Sequence, residues 1–234
     1  MKRVLKTLIG LAMTTSLCWA ADTVDIDVTV TTDAAACTPT LSNNGIVDFG
    51  KQSAARLSGT HYTQWGNKGI TLNITCEAST AVAISARDSR TDSLSYGADA
   101  NGNVGPQSPL NGQGTINSPT RLFGLGKTVE GKNIGSYAIV VEPDGIQVQD
   151  GSNAPAVGIV GSASIEGPWS ADASPALPSD MAWYYTFAIK NSTTIQPITT
   201  ATVPLNVSAS IANNLASGSS IQLNGQATIS LIYL

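Results

Sequence analysis

The chain has 234 residues, a net charge of −4, three cysteines, and 12% charged against 42% hydrophobic side chains. So low a charged fraction excludes a coiled coil, and so small a net charge excludes charge-driven disorder. An acidic chain lacks the basic surface that nucleic-acid binding needs, so no nucleic-acid partner is expected.

The first element in chain order is a leader. Lys2, Arg3 and Lys6 form a basic head, Leu8 to Leu17 a short apolar core, and Cys18-Trp19-Ala20 a small-residue cleavage site. Residues 1–20 therefore read as a secretory signal peptide, because that core is too short to cross about 30 Å of hydrocarbon. Its removal leaves nine basic residues against sixteen acids, a net charge of −7, and two cysteines, Cys37 and Cys76. Two cysteines in an exported chain read as one disulfide. Two free thiols are the alternative. A zinc site would want for ligands, since His61 is the only histidine.

Residues 21–36 come next as an N-terminal arm. Val24, Ile26, Val28 and Val30 alternate with Asp25, Asp27 and Thr29, the period of a strand with one apolar face. The same period recurs in Ile70–Ile74, in Val82 and Ile84, in Tyr137–Val141, in Trp183–Ile189 and in Val203–Ile211. No stretch sustains a helical period. An all-β sandwich is expected, one face of each strand buried. Fourteen of the 22 glycines lie from Gly97 to Gly167, and eight of the 11 prolines from Pro106 to Pro178. This middle third predicts long loops within one domain around the strand patterns Arg121–Leu125 and Ile134–Val141. The last strand alternates Ala227, Ile229, Leu231 and Tyr233 and stops one residue later, an ending that asks for a partner on its edge.

Catalytic patterns fail residue by residue. His61 sits in a loop-like Gly59-Thr60-His61-Tyr62 and reads as a solvated histidine. Gly124-Leu125-Gly126-Lys127-Thr128 resembles the tail of a phosphate loop, but Arg121 stands where its first glycine belongs. Asp99-Ala100-Asn101-Gly102-Asn103 opens like a calcium loop, but Val104 and Leu110 replace the required Gly and Glu. Asp88 and Asp92 flank Arg90 in a turn-like stretch and read as solvated charges rather than a glycosidase pair. No catalytic residue, metal or nucleotide cofactor is implied, and the chain reads as a non-enzyme.

An exported all-β chain with the arm Val24–Val30, Cys37 just after it, Cys76 beyond, and the penultimate Tyr233 resembles pilin subunits of the chaperone–usher pathway. Ala36-Cys37-Thr38-Pro39-Thr40-Leu41, Val47-Asp48-Phe49-Gly50, Ile74-Thr75-Cys76 and Leu122-Phe123-Gly124-Leu125-Gly126 resemble a large, poorly characterised branch of fimbrial subunits. The family's glycine fourteen residues from the C-terminus is Ile221 here and Gly225 is the nearest glycine, which leaves the register of the last strand open. The resemblance implies an incomplete immunoglobulin-like sandwich over 37–234, with long inserted loops and a free donor strand in 21–36. It implies a structural or adaptor subunit of an extracellular fimbria, polymerising by donor-strand exchange and supporting cell adhesion. The partners would be a periplasmic pilus chaperone, an outer-membrane usher and neighbouring pilin subunits, on a route through the periplasm to the cell surface. Val24, Ile26, Val28 and Val30 would be the donated side chains. At roughly 1.5–3 kcal/mol per buried aliphatic, the four supply about 6–12 kcal/mol. Ile229, Leu231 and Tyr233 would line the acceptor and chaperone-contact edge. The long loops could carry a receptor surface for a host or surface glycan, with Trp65 or Trp169 as stacking residues, though packing roles for both weigh more. Two other classes stay open: a secreted carbohydrate-binding sandwich or fimbrial adhesin, the former keeping its N-terminal strand in its own sheet, and a secreted glycan hydrolase using Asp88 or Asp92.

Overall fold

A computed structural model describes residues 23–30, 36–50, 53–97, 105–110, 114–171, 173–213, 215 and 221–234. The signal-peptide reading of 1–20, the linker part of the arm and the calcium-like stretch Asp99–Asn103 lie outside these residues. Among the described residues twelve strands form two six-stranded sheets, and there is no α-helix. The expected all-β sandwich is therefore present.

The second sheet is built on its two longest strands. β4 (Thr63–Thr80) and β11 (Ile198–Ile211) pair antiparallel over most of their length, so Ile70 faces Leu205, Leu72 faces Val203 and Ile74 faces Ala201. All six of these side chains are buried. β2 (Cys37–Leu41) flanks β4. On its other side β11 meets β8 (Gln147–Gln149) and then β7 (Gly135–Val141), which carries the two-residue β6 (Phe123–Gly124). Pro204 sits inside this central strand, where a missing N–H normally breaks a ladder. It falls in the seam between the β8 and β7 pairings, where its carbonyl accepts a bond from the Glu142 N–H, so its ring displaces no ladder donor.

The first sheet runs in the order β3 (Ile46–Asp48), β1 (Thr23–Val30), β12 (Asn224–Tyr233), β5 (Val82–Asp88), β10 (Tyr184–Ile189) and β9 (Val157–Ser162). Its pairings are antiparallel except one: β1 runs parallel to β12. Strands from both halves of the chain interleave in each sheet, so the Gly/Pro-rich middle third belongs to the same sandwich as its flanks.

The expected one-sided burial fails at β7, where every residue is buried. Val140 lies on the outer face and shares a cleft with residues 115–118, Arg121 and 174–176. The long middle loops thus cover the outer face of the second sheet rather than dangling from it. The Arg121–Leu125 strand pattern also shortens to a 3-10 turn (Pro119–Arg121) followed by β6. Pro119 at the first turn position imposes a φ that suits the turn and not a strand.

Candidate strand-acceptor site

Cys37 and Cys76 face each other across β2 and β4 and are joined by a disulfide. The backbone N–H of Cys37 donates to the Tyr233 hydroxyl at 2.7 Å. This bond ties the end of β12, in one sheet, to the start of β2, in the other. The C-terminal strand is therefore anchored at the stapled corner of the sandwich.

β12 presents Gly225, Ala227, Ile229 and Leu231 inward, all buried, with Tyr233 half-buried at the end. The arm lies against it in register: Val24 opposite Gly225, Ile26 opposite Ala227, Val28 opposite Ile229 and Val30 opposite Leu231. Val24 and Ile26 are buried, Val28 is half-buried, and Asp25 and Asp27 are exposed. The inward and outward alternation of the arm is as its sequence predicts. Its location is not. The arm expected to be free in the lone subunit is seated in the chain's own sheet. The cause is on β12: a strand whose inner face is buried leaves a row of backbone groups on its edge, and the arm is the available segment with matching period.

Polar contacts fasten the seat. The Gln226 side-chain amide donates to Asp27 Oδ2 at 2.7 Å, and the Thr29 and Ser230 hydroxyls lie 3.5 Å apart. β3 pairs with the arm only at Thr23–Asp25, and the carbonyl of Ile26 presses on Gly45, where a Cβ would collide with it. Gly45 at φ 79° thus serves both a left-handed turn and a close approach.

Gly225 settles the register left open by the sequence. A Cβ there would stand 2.6 Å from the Tyr137 ring, which fills the space beneath the start of β12. Tyr137 is fully buried and stacks on Phe123 with ring centroids 5.1 Å apart. Its hydroxyl has no hydrogen-bond partner among the described residues, and burial, with Asp88 adding to it, pushes its pKa well up. Ile221 lies ahead of the strand, half-buried against the core.

The other residues singled out in the sequence are dispersed. His61 is half-buried in a turn where its N–H donates to Ser58 Oγ. Trp65 is buried with the Arg56 guanidinium 5.6 Å over its ring, so it offers no open stacking face, and Trp169 is half-buried beside Gly167. Asp92 is exposed as expected and pairs with Lys127 at 3.0 Å, a contact that lowers its pKa. Asp88 is a correction: it is buried, not solvated. Its two oxygens accept from the N–H groups of Arg90 and Gly124, each at 2.8 Å, and desolvation raises its pKa. Beside it Ser93 Oγ donates to the Arg90 carbonyl and accepts from the Gly126 N–H. The phosphate-loop-like glycines are thus held by a buried polar hub. The signal was available, because Asp88 continues the inward series Val82, Ile84, Ala86 at period two. A second cluster had none: Arg121 donates to the Ala176 carbonyl and to the Tyr185 hydroxyl, joining residues far apart in sequence. No group of three or more metal-ligating side chains occurs among the described residues.

The fold and the arm define an all-β sandwich protein whose N-terminal strand completes a sheet beside its C-terminal strand. A family model described as "Protein of unknown function (DUF1120)" matches residues 26–138, from the arm to the middle of β7. The chain is 49% identical over 219 residues to "Uncharacterized protein YhcF" of Escherichia coli strain K12, covering 92% of each chain. It is 30% identical over 239 residues to "Protein GltF" of the same organism, covering 92% of this chain and 91% of the other. The chain belongs to the same family as these two proteins.

Proposed function

We propose that this protein is a non-enzymatic structural or adaptor subunit of an extracellular fimbria. It is exported to the periplasm, held there by a pilus chaperone, delivered to an outer-membrane usher, and joined to neighbouring subunits by donor-strand exchange to support cell adhesion. The observation that carries this reading is the place of β1. It is one strand at the chain's N-terminus, joined to the sandwich through residues 31–36, and it covers the edge of β12. Take β1 away and β12 becomes an open edge with a buried-type inner face, while β3 loses the one strand it pairs with among the described residues. Such an edge is a template for an added strand of apolar alternation. A neighbouring subunit's Val24, Ile26, Val28 and Val30 have that alternation.

A second reading has one observation in its favour: the arm sits in its own sheet, as in a self-contained secreted carbohydrate-binding sandwich. Deleting residues 22–32 separates the two. A fimbrial subunit so truncated loses polymerisation and still co-purifies with a periplasmic chaperone. Fibres formed normally by the truncated chain overturn donor-strand exchange. A full-length chain that stays monomeric and captures no chaperone favours the secreted sandwich.

A further inference from the structure

We infer that the arm seated on its own β12 is a strand latch: the lone subunit closes its acceptor edge with its own β1 in parallel, and that seat must open before another arm can enter. The inference rests on the donor-strand reading and adds a regulation of the same site.

The direction of the strand carries the argument. Val30 lies opposite Leu231, two residues from Tyr233, and the Tyr233 hydroxyl holds the N–H of Cys37. Six residues, 31–36, therefore join two points at the same end of β12 with chain to spare. An antiparallel seat over the same span would put Val30 opposite Gly225. At about 3.3 Å per residue, the eight steps from Gly225 to Tyr233 extend about 26 Å. The seven steps from Val30 to Cys37 reach at most about 25 Å when pulled straight. That leaves no slack to cross from one sheet to the other. The tether thus permits the chain's own arm only the parallel seat.

An arm from a second copy carries no such tether to this domain and can enter in either direction. Antiparallel ladders are slightly more stable per residue than parallel ones. The own arm is also incompletely covered, since β3 pairs only with Thr23–Asp25 and Val28 stays half-buried. The latch is therefore the weaker of two possible occupants, strong enough to cover the edge and weak enough to be displaced.

Thr29 and Ser230 are register partners with hydroxyls 3.5 Å apart, so the double variant Thr29→Cys, Ser230→Cys can bridge the arm to its own β12. The probe is a fluorescent synthetic peptide of residues 22–32, offered to the full-length wild-type chain and to the oxidised double variant, with the new bridge verified by peptide mapping. The latch predicts that wild-type uptake is slow and stops rising with peptide concentration, because arm release limits it. It predicts at least tenfold slower uptake by the bridged chain, and loss of self-assembly in that chain alone. Equal uptake by bridged and wild-type chains overturns the latch. So does wild-type uptake that stays proportional to peptide concentration, and so does its complete absence. In all three cases donor-strand exchange stands if wild-type chains assemble and those lacking 22–32 do not. Fibres formed by the bridged chain overturn both.

Discussion

Asp88 shows how much one buried carboxylate constrains. Both its oxygens are engaged by backbone N–H groups, yet burial raises its pKa above the ordinary carboxylate value, with Asp92 adding to the rise and Arg90 opposing it. A raised folded-state pKa means that the native chain binds the proton more tightly than the unfolded chain. The Asp88 contribution to stability therefore increases as pH falls through the raised value and levels off below 3.8. Denaturant midpoints measured across that range for wild type and Asp88→Asn should draw further apart as pH falls, because the variant lacks this titration and does not share the gain. The variant should also be less stable at neutral pH, because its amide NH₂ cannot accept the second N–H bond. Gly225 is a steric counterpart. Gly225→Ala places a methyl 2.6 Å from a fully buried ring, and overpacking of this kind costs about 1–3 kcal/mol. Chemical denaturation should show that loss. Gly131→Ala makes a control, since a Cβ there meets nothing within 4 Å and only its φ of 80° opposes the change.

At the scale of elements, the arm and the last strand form one unit. Ile26 is 4% exposed and sits over Ala227. If β1 remains docked in the isolated chain, Ile26→Ala should destabilise it by about 2–4 kcal/mol in equilibrium unfolding, the usual cost of emptying a buried aliphatic site. An arm that hangs free in solution would give a change near zero. The disulfide acts at the neighbouring corner. It closes a stretch with a sequence separation of 39 and holds the point to which Tyr233 reports through the Cys37 N–H. A bridge of this kind stabilises by roughly 2–4 kcal/mol, chiefly by restricting the unfolded chain. Arm, last strand and disulfide thus converge on one end of the sandwich.

For the molecule as a whole, the question is whether the β12 edge serves other chains. Tyr233 lies at the end of that edge, half-buried, two residues beyond the last partner of the arm. Tyr233→Asp removes the ring and the acceptor of the Cys37 N–H and adds a charge at the mouth of the groove. Under the fimbrial reading, capture of the variant by a co-expressed periplasmic chaperone falls at least several-fold relative to wild type, while Tyr233→Phe retains most of it. Pull-down of both variants from periplasm checks this, and unchanged capture of the Asp variant would remove Tyr233 from the partner-binding edge. The low charge of the last 54 residues, in which Lys190 alone follows Asp180, matches the central places of β11 and β12 in their sheets.

The sequence alone determined the fold class, the disulfide pair, the alternation of the arm and the inward face of the last strand. Each of these is a local matter, set by period-two patterning or by the number of cysteines available. Only the tertiary structure decided where the arm goes, which register Gly225 and Tyr137 impose, that Asp88 is buried, and that Trp65 packs inside. Period two separates one face of a strand from the other, but it does not say which edge that strand will join. The destination of β1 depends on the open edge of β12, some 200 residues away in sequence, and on a six-residue tether that allows only one direction.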